Sequence, residues 1–164
     1  MKKRNKGNIA DDSPIRRILI VTGHDALLAS LRDLVNLESD LTVGGEAADL
    51  TGARLILGGD HLDLAIVDRL VCPSIGFPEQ MVFPMKPKMP LILMAMDNEL
   101  AQIRSALTSG VRGFVAKQDL AQELIAAIRD VLDGQRYFSR ELLVGISADV
   151  RARILAGDTS DWNE

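Results

Sequence analysis

Two side chains of opposite charge follow separate apolar runs of the sequence. Asp68 closes the run LDLAIVD, and Lys117 closes the run GFVAK. If both runs are strands of one parallel sheet, both residues stand at its carboxyl-terminal edge, where open α/β sheets bind their ligands. The turn Thr22-Gly23 follows an earlier apolar run, RRILIV, and is expected at the same edge. A carboxylate that faces an ammonium group in such a crevice is a candidate functional site.

Other residue types that carry chemistry are few. The two histidines, His24 and His61, with nearby acids supply too few ligands for a zinc centre. The single cysteine, Cys72, excludes an internal disulfide and a cysteine cluster for zinc. His61 precedes the third apolar run and Asp68 ends it, and the step from Leu64 to Asp68 alone spans about 13 Å, so the two residues lie at opposite ends of the sheet. A Ser-His-Asp arrangement has no nucleophile elbow in this sequence to support it. We therefore expect no metal, no cofactor and no catalytic residue, and His24 is interpreted as a polar loop residue.

The order of the apolar runs defines the fold class. Five apolar runs have the length and composition of buried strands. Three of the four segments between them, including 98–109, have apolar residues at helical spacing, and so does the segment after the last strand, 119–132. Such alternation predicts right-handed crossovers and a doubly wound, flavodoxin-like, five-stranded parallel sheet. The predicted strands are RRILIV (16–21), LTVGGE (41–46), LDLAIVD (62–68), PLILMAM (90–96) and GFVAK (113–117).

One segment interrupts the alternation. Between the third and fourth strands, five of the six prolines occur at positions 73 to 90. Proline inside a helix costs about 3 kcal/mol or more, so we expect the third helix to be broken or replaced by a loop over 73–90. The methionines concentrated at and after this segment either fill gaps or form a surface for a partner or ligand. A further helix is predicted at roughly 148 to 156.

Charge is distributed unevenly along the chain. The net charge is −4, but residues 1–17 carry six Lys or Arg against two Asp, which is +4, so the remainder carries −8. An acidic body with 4% aromatic residues argues against direct nucleic-acid binding. The basic residues at the start form either a solvated tail or a phosphate-binding arm.

Composition and segment properties suggest a soluble protein with three parts. No apolar run approaches the roughly 18 residues of a membrane span, and the single cysteine suits a reducing cytoplasm. We predict a basic, polar tail over 1–14, a main domain over 15–140 and a helical extension over 141–164.

Three stretches of the sequence together resemble a receiver domain of two-component response regulators, of the subgroup that usually carries a LuxR-type DNA-binding domain. The resemblance covers about 15–140. It is carried by ILIVTGHDALLASLRDLVNLESDLTVGGEAAD, LDLAIVDRL and SALTSGVRGFVAKQDLAQELIAAIRDVLDGQRYFS. In that family an aspartate ending the third strand accepts a phosphoryl group from a histidine kinase, with a Mg²⁺ held by it and by an acidic pair after the first strand.

The resemblance transfers roles to three residues. Asp68 matches the phosphoacceptor, Lys117 matches the lysine that contacts the phosphoryl oxygens, and Phe114 matches an aromatic residue that changes position with the switch. Each residue also has a purely structural interpretation. Asp68 and Lys117 would form an ion pair that stabilises the crevice, and Phe114 would be an aromatic residue of the core.

Three family positions depart from the pattern. Thr22 and Gly23 replace the acidic pair, and Ala95 replaces the hydroxyl residue after the fourth strand. Mg²⁺ is commonly held by one or two carboxylates and waters, so its binding is expected to be weak or lost. Asp25 either compensates as a metal ligand or stabilises the first helix at its amino-terminal end.

Two functions remain open at this stage. The first is an atypical, stand-alone receiver that acts by binding proteins, independently of phosphorylation, and forms a homodimer through helices 98–109 and 119–132. The second is a phosphorylatable receiver that takes its phosphoryl group on Asp68 from a histidine kinase and regulates a partner, with transcription as one candidate process. A small-molecule binder is a third reading, based on fold analogy alone.

Overall fold

A six-stranded parallel sheet forms the centre of the protein. The computed structural model describes residues 13–59, 61–72, 89–96, 103, 106, 110–144 and 146–158. The strand order β2-β1-β3-β4-β5-β6 confirms the flavodoxin-like winding, and β6 adds an edge strand that the sequence did not predict. The strands are β1 (Arg16–Val21), β2 (Leu41–Ala47), β3 (Leu64–Asp68), β4 (Leu91–Ala95), β5 (Gly113–Ala116) and β6 (Tyr137–Phe138).

Four helices have defined bounds in the described part of the chain. Single 3₁₀ turns follow β3, β5 and β6 at Arg69–Val71, Lys117–Asp119 and Arg140–Leu143. The predicted terminal helix at 148–156 is confirmed. The helices are α1 (Asp25–Asn36), α2 (Leu50–Leu57), α3 (Leu120–Leu132) and α4 (Ala148–Ala156).

Helix capping follows the sequence in part. His24, expected as a loop residue, caps α1 because its Nδ1 accepts a hydrogen bond from the Leu27 amide at 3.0 Å. Asp25 follows in the first turn of α1, where a carboxylate is favourable. Asp119 occupies the cap position of α3 without a side-chain hydrogen bond. The 3₁₀ turn before α3 is the reason, since it removes the extended backbone that a capping side chain needs.

The two faces of the sheet bury separate apolar layers. Alternate residues of β1, β3, β4 and β5 pack against α1 and α3 on one face. The other face is covered by α2, by the buried helical residues Ile103 and Ala106, and by Ile154 of α4. Every residue of β3, β4 and β5 is buried, which explains why these strands read as continuous apolar runs.

The extension beyond α3 is attached to the edge of the sheet. Phe138 of β6 pairs with Phe114 of β5, and their rings stack with centroids 6.5 Å apart. Leu142, Leu143 and Ile154 are then buried in the same layer as Phe114. The region after residue 140 therefore shares its core with the sheet.

Two predictions concern residues outside the described part of the chain. The proposed loop over 73–90 is described only at Met89 and Pro90. The predicted helix over 98–109 is described only at Ile103 and Ala106, which are helical. No helix among the described residues is long and apolar enough to cross a membrane.

Candidate functional site

Three strand ends bring the predicted site residues together. Asp68 is the last residue of β3, Lys117 follows β5, and Thr22 follows β1. Because the strands are parallel, their carboxyl ends lie at one edge. The Lys117 Nζ is 2.6 Å from Asp68 Oδ1, and the Thr22 hydroxyl donates a hydrogen bond to Asp68 Oδ2 at 2.9 Å. The sequence placed these residues in one crevice, and the structure makes them direct partners.

The Asp68 carboxylate is buried, and both of its oxygens are hydrogen-bonded to the protein. Only 1% of the residue is exposed, and the Leu70 amide adds a third hydrogen bond, to Oδ1, at 3.0 Å. Burial raises the pKa of Asp68, but the hydrogen bonds from Lys117, Leu70 and Thr22 outweigh it and hold the pKa below its ordinary value. The carboxylate is therefore ionised at neutral pH, and each of its oxygens already accepts a hydrogen bond.

Thr22 is held in place by its own backbone and by the turn that follows. Its amide donates to the Ala47 carbonyl of β2 at 3.0 Å, and its hydroxyl accepts a hydrogen bond from the His24 amide at 3.2 Å. The side chain is buried, so the hydroxyl is oriented towards Asp68 by two fixed strands. Gly23 is exposed, and a Cβ atom there would make only an ordinary contact, 3.4 Å from the Ala48 carbonyl oxygen.

The remaining family positions are apolar and buried. Ala95 ends β4 and brings no hydroxyl to the crevice. Phe114 is completely buried and stacked on Phe138, with an angle of 12° between the ring planes. Phe114 is therefore a core residue in this conformation. It lies three residues before Lys117, and its ring is buried in the apolar layer that also contains residues of α2 and α4.

The described residues do not fit a Mg²⁺ ion at this crevice. Mg²⁺ requires oxygen ligands in near-octahedral geometry, and Asp68 gives its oxygens to an ammonium group, an amide and a hydroxyl. No group of three or more His, Cys, Asp or Glu able to hold a metal occurs in the described ranges. Asp25 is exposed in the first turn of α1 and belongs to no such group.

Comparison with known proteins supports the interpretation of the sheet and its crevice. No family model matches the chain. The transcriptional regulatory protein UhpA of Salmonella typhimurium is 29% identical over 132 residues, which are 80% of this chain and 66% of UhpA. A two-component response regulator of the LuxR family from Aurantimonas sp. is 25% identical with a TM-score of 0.72, over 84% of this chain and 99% of that one.

A further solved structure shares the fold. The non-phosphorylated receiver domain of RcsB from Escherichia coli is 19% identical with a TM-score of 0.69, over 77% of this chain and 99% of that one. Another structure contains two RcsB dimers bound to two parallel DNAs. The chain resembles the receiver domains of LuxR-type response regulators. It covers just under two thirds of the length of UhpA, so the likeness concerns the receiver part of these proteins.

Ser139 is a residue of this receiver-like domain that sequence reasoning missed. Its buried hydroxyl accepts a hydrogen bond from the Ala116 amide at 2.9 Å and donates one to Glu123 of α3. Ala116 directly precedes Lys117, so Ser139 fixes the end of β5 from which Lys117 extends. The only sequence signal was the run Tyr137-Phe138-Ser139, which is too short to show strand periodicity.

Cys72 also lies close to the site. Its thiol donates a weak hydrogen bond to the Asp68 main-chain carbonyl, with the sulfur 3.8 Å from the oxygen. Burial raises the pKa of the Cys72 thiol to about 11, so it is a neutral packing group at physiological pH.

His61 belongs to the opposite end of the sheet. Its Nε2 lies 3.2 Å from Oδ1 of Asp63, directly before β3, and Asp63 also accepts hydrogen bonds from Arg16 and from the Arg17 amide. His61 therefore contributes to a surface ion cluster at the amino-terminal edge.

Proposed function

We propose that this chain is a receiver-like signalling domain that acts by binding protein partners and does not depend on phosphorylation. The observation that carries the proposal is that both carboxylate oxygens of Asp68 accept hydrogen bonds inside the protein, Oδ1 from Lys117 and Leu70 and Oδ2 from Thr22. A phosphoryl acceptor must present one of these oxygens to the donor, and both the burial of Asp68 and these contacts oppose that approach. The likeness to response regulators supports a regulatory role in two-component signalling rather than an enzymatic one.

The chemistry of phosphoryl transfer adds a second argument. Its transition state is stabilised by a metal and by positioned cations that neutralise developing negative charge. Here Thr22 replaces a carboxylate and donates to Asp68, which uses an oxygen that a metal would need. Ala95 offers no hydroxyl that would contact a phosphoryl group and transmit its presence. The side chains of the crevice therefore favour a single conformation that does not depend on a phosphoryl group.

The surface around the crevice supports an interaction role. Leu70 and Met96 are 79% and 66% exposed. Asp68 of β3 pairs with Met94 of β4, and Leu70 and Met96 each come two residues after a member of this pair. Exposed apolar side chains that follow the ends of neighbouring strands, close to a buried ion pair, offer a surface that a protein partner can cover. A partner that binds there would contact the site without chemistry at Asp68.

Self-association is part of the proposal. RcsB, which shares this fold, forms dimers in its DNA complex. The dimer proposed from the sequence uses helix 98–109 and α3. None of the large apolar side chains exposed in the described ranges lies on α3, whose exposed residues include Gln122, Arg129 and Asp130. A dimer through α3 would therefore rely on polar contacts and be sensitive to salt.

The test is the intact mass of the protein after incubation with acetyl phosphate over a Mg²⁺ series. We expect no phosphoryl adduct on the wild type at any Mg²⁺ concentration, and an unchanged oligomeric state. The Gly23→Asp variant is a matched comparison, because it adds a carboxylate at an exposed position that accepts a side chain. A gain of adduct in this variant alone would show that the missing acid blocks the chemistry.

The opposite result would favour the second function. A Mg²⁺-dependent adduct on the wild type that is absent from Asp68→Asn would contradict phosphorylation independence and make Asp68 the phosphoacceptor. A change of oligomeric state with that adduct would further assign it a switching role.

A further inference from the structure

A groove at the amino-terminal edge of the sheet lies apart from the Asp68 crevice and is not used by the proposed function. It has a volume of about 520 Å³ and borders the starts of β4 and β5 and the end of α3. Along β5 alone, the strand rise separates Arg112 from Lys117 by about 16 Å. The lining residues are Met89, Pro90, Gly110, Arg112, Val131, Leu132, Gly134 and Arg136.

Two arginines dominate the charge of this groove. Arg112 and Arg136 precede the paired strands β5 and β6, and the Tyr137 amide donates to the Arg112 carbonyl at 3.1 Å, so the backbone holds both close together. No aspartate or glutamate is among the described residues that line the groove, and neither arginine forms an ion pair within the described ranges. This is unusual for a chain whose residues after 17 carry a net charge of −8.

Arg136 contacts the end of α4 and is incompletely hydrogen-bonded within the described part of the chain. Its Nη1 donates to the Ala156 carbonyl at the end of α4 at 3.3 Å, and its guanidinium group lies against Gly157, where a Cβ atom would clash with it. Its Nε is buried and has no hydrogen-bond acceptor among the described residues. A buried donor without an acceptor is costly, so the hydrogen-bonding capacity of this guanidinium group is incompletely used within the described part of the chain.

The electrostatics of the two arginines agree with the geometry. Burial lowers the pKa of Arg136, and the positive charge of Arg112 lowers it further. No carboxylate among the described lining residues offsets this repulsion, whereas Arg32 and Arg129 elsewhere on the surface are each paired with acids. Two guanidinium groups that repel each other across an open groove are the arrangement that an anion relieves.

We propose that this groove binds a small organic anion with two or more carboxylate or phosphate groups. Arg112 and Arg136 each face one acidic group, and Arg supplies the planar donor pairs that carboxylates and phosphates accept. The apolar side chains of Val131, Leu132 and Met89 contact the carbon body of the ligand. Because Arg136 also binds the end of α4, occupancy of the groove stabilises the attachment of that helix.

The experiment compares citrate and inorganic pyrophosphate as probes, at constant ionic strength and without Mg²⁺, by calorimetric titration and by thermal unfolding. The variant is Arg112→Gln, since the Arg112 side chain is exposed and its hydrogen bonds to Leu91 and Tyr137 use only the backbone. The matched control is Arg140→Gln, an exposed arginine outside the groove. Titration with sodium chloride at the same ionic strength gives the baseline.

We expect one of the two anions to raise the unfolding temperature of the wild type and of Arg140→Gln, and Arg112→Gln to bind it at least about tenfold more weakly. Stabilisation by citrate alone assigns a carboxylate ligand, and stabilisation by pyrophosphate alone assigns a phosphate ligand. The proposal is overturned if neither probe binds at about 10 mM, or if both variants lose affinity equally.

Discussion

The two edges of the sheet treat charge in opposite ways. At the carboxyl-terminal edge, one buried carboxylate has an ammonium group, an amide and a hydroxyl as partners. At the amino-terminal edge, Arg112 and Arg136 share a groove that no described acid enters. The carboxyl-terminal edge, where open α/β sheets bind their ligands, is occupied by hydrogen bonds within the protein, while the opposite edge holds two arginines without a described acidic partner. The ligand site that we propose therefore follows from unpaired charge more than from position in the fold.

The largest effect is expected from removing the counter-charge at the satisfied edge. Lys117→Met leaves the buried Asp68 carboxylate without an ammonium partner, which costs about 3–5 kcal/mol of unfolding free energy. Urea denaturation at pH 7 measures this loss. The double variant Asp68→Asn, Lys117→Met should recover a large part of it, because no uncompensated charge remains. A loss no larger than that of Arg140→Ala, an exposed control, would show that the pair is not the stabilising element.

A smaller loss is expected when only the hydroxyl partner is removed. Thr22→Val preserves the shape of the side chain but leaves Asp68 Oδ2 without its donor, at a cost of about 1–3 kcal/mol. Thr22→Ser retains the hydroxyl and should remain close to the wild type. The same urea measurement applies, and equal stability of the Val and Ser variants would contradict the role assigned to the Thr22 hydroxyl.

The pH dependence of stability should report the same site. The pKa of Asp68 is lowered in the folded state, so its unfolded form takes up a proton first as the pH falls. The stabilisation from Asp68 is present above about pH 4, its unfolded value, and is lost as the pH falls further towards the folded pKa. The difference in unfolding free energy between wild type and Asp68→Asn should therefore shrink in acid and stay constant between about pH 5 and about pH 7. A difference that does not change with acid would contradict the depressed pKa.

The smallest effect is expected at the unsatisfied edge in the absence of a ligand. Arg112→Gln removes the repulsion on Arg136 and should raise stability by at most about 0.5 kcal/mol at low ionic strength. Added salt should reduce the difference in unfolding free energy between Arg112→Gln and the wild type, because salt screens the repulsion between the two arginines. Denaturation in low and high sodium chloride measures this. A destabilised Arg112→Gln protein would mean that Arg112 already has a favourable partner, and the contrast between the edges would not hold.

Particular residues show how far sequence reasoning reached. Asp68 and Lys117 were placed together because a strand end is visible in an apolar run, and parallel strands bring such ends to one edge. The capping role of His24 was not predicted, since histidine is an uncommon cap and its ring nitrogen acts only through the backbone geometry of the turn. Leu55 of α2 is exposed although its neighbours Ile56 and Leu57 are partly or fully buried, which the apolar run of this short helix does not reveal.

The sequence by itself determined the parallel α/β sheet, the crevice with Asp68 and Lys117 and the terminal helix, because these depend on periodic burial and on strand polarity. Tertiary structure decided three features: the Thr22 hydroxyl on Asp68, the Ser139 hydroxyl on the end of β5, and the positions of Arg112 and Arg136 directly before the paired strands β5 and β6. Each joins residues through the pairing of strands, with separations of 46 and 23 residues for the two hydroxyl contacts. Such contacts have no local pattern, since a single side chain gains its partner only when the strands that carry both are already in register.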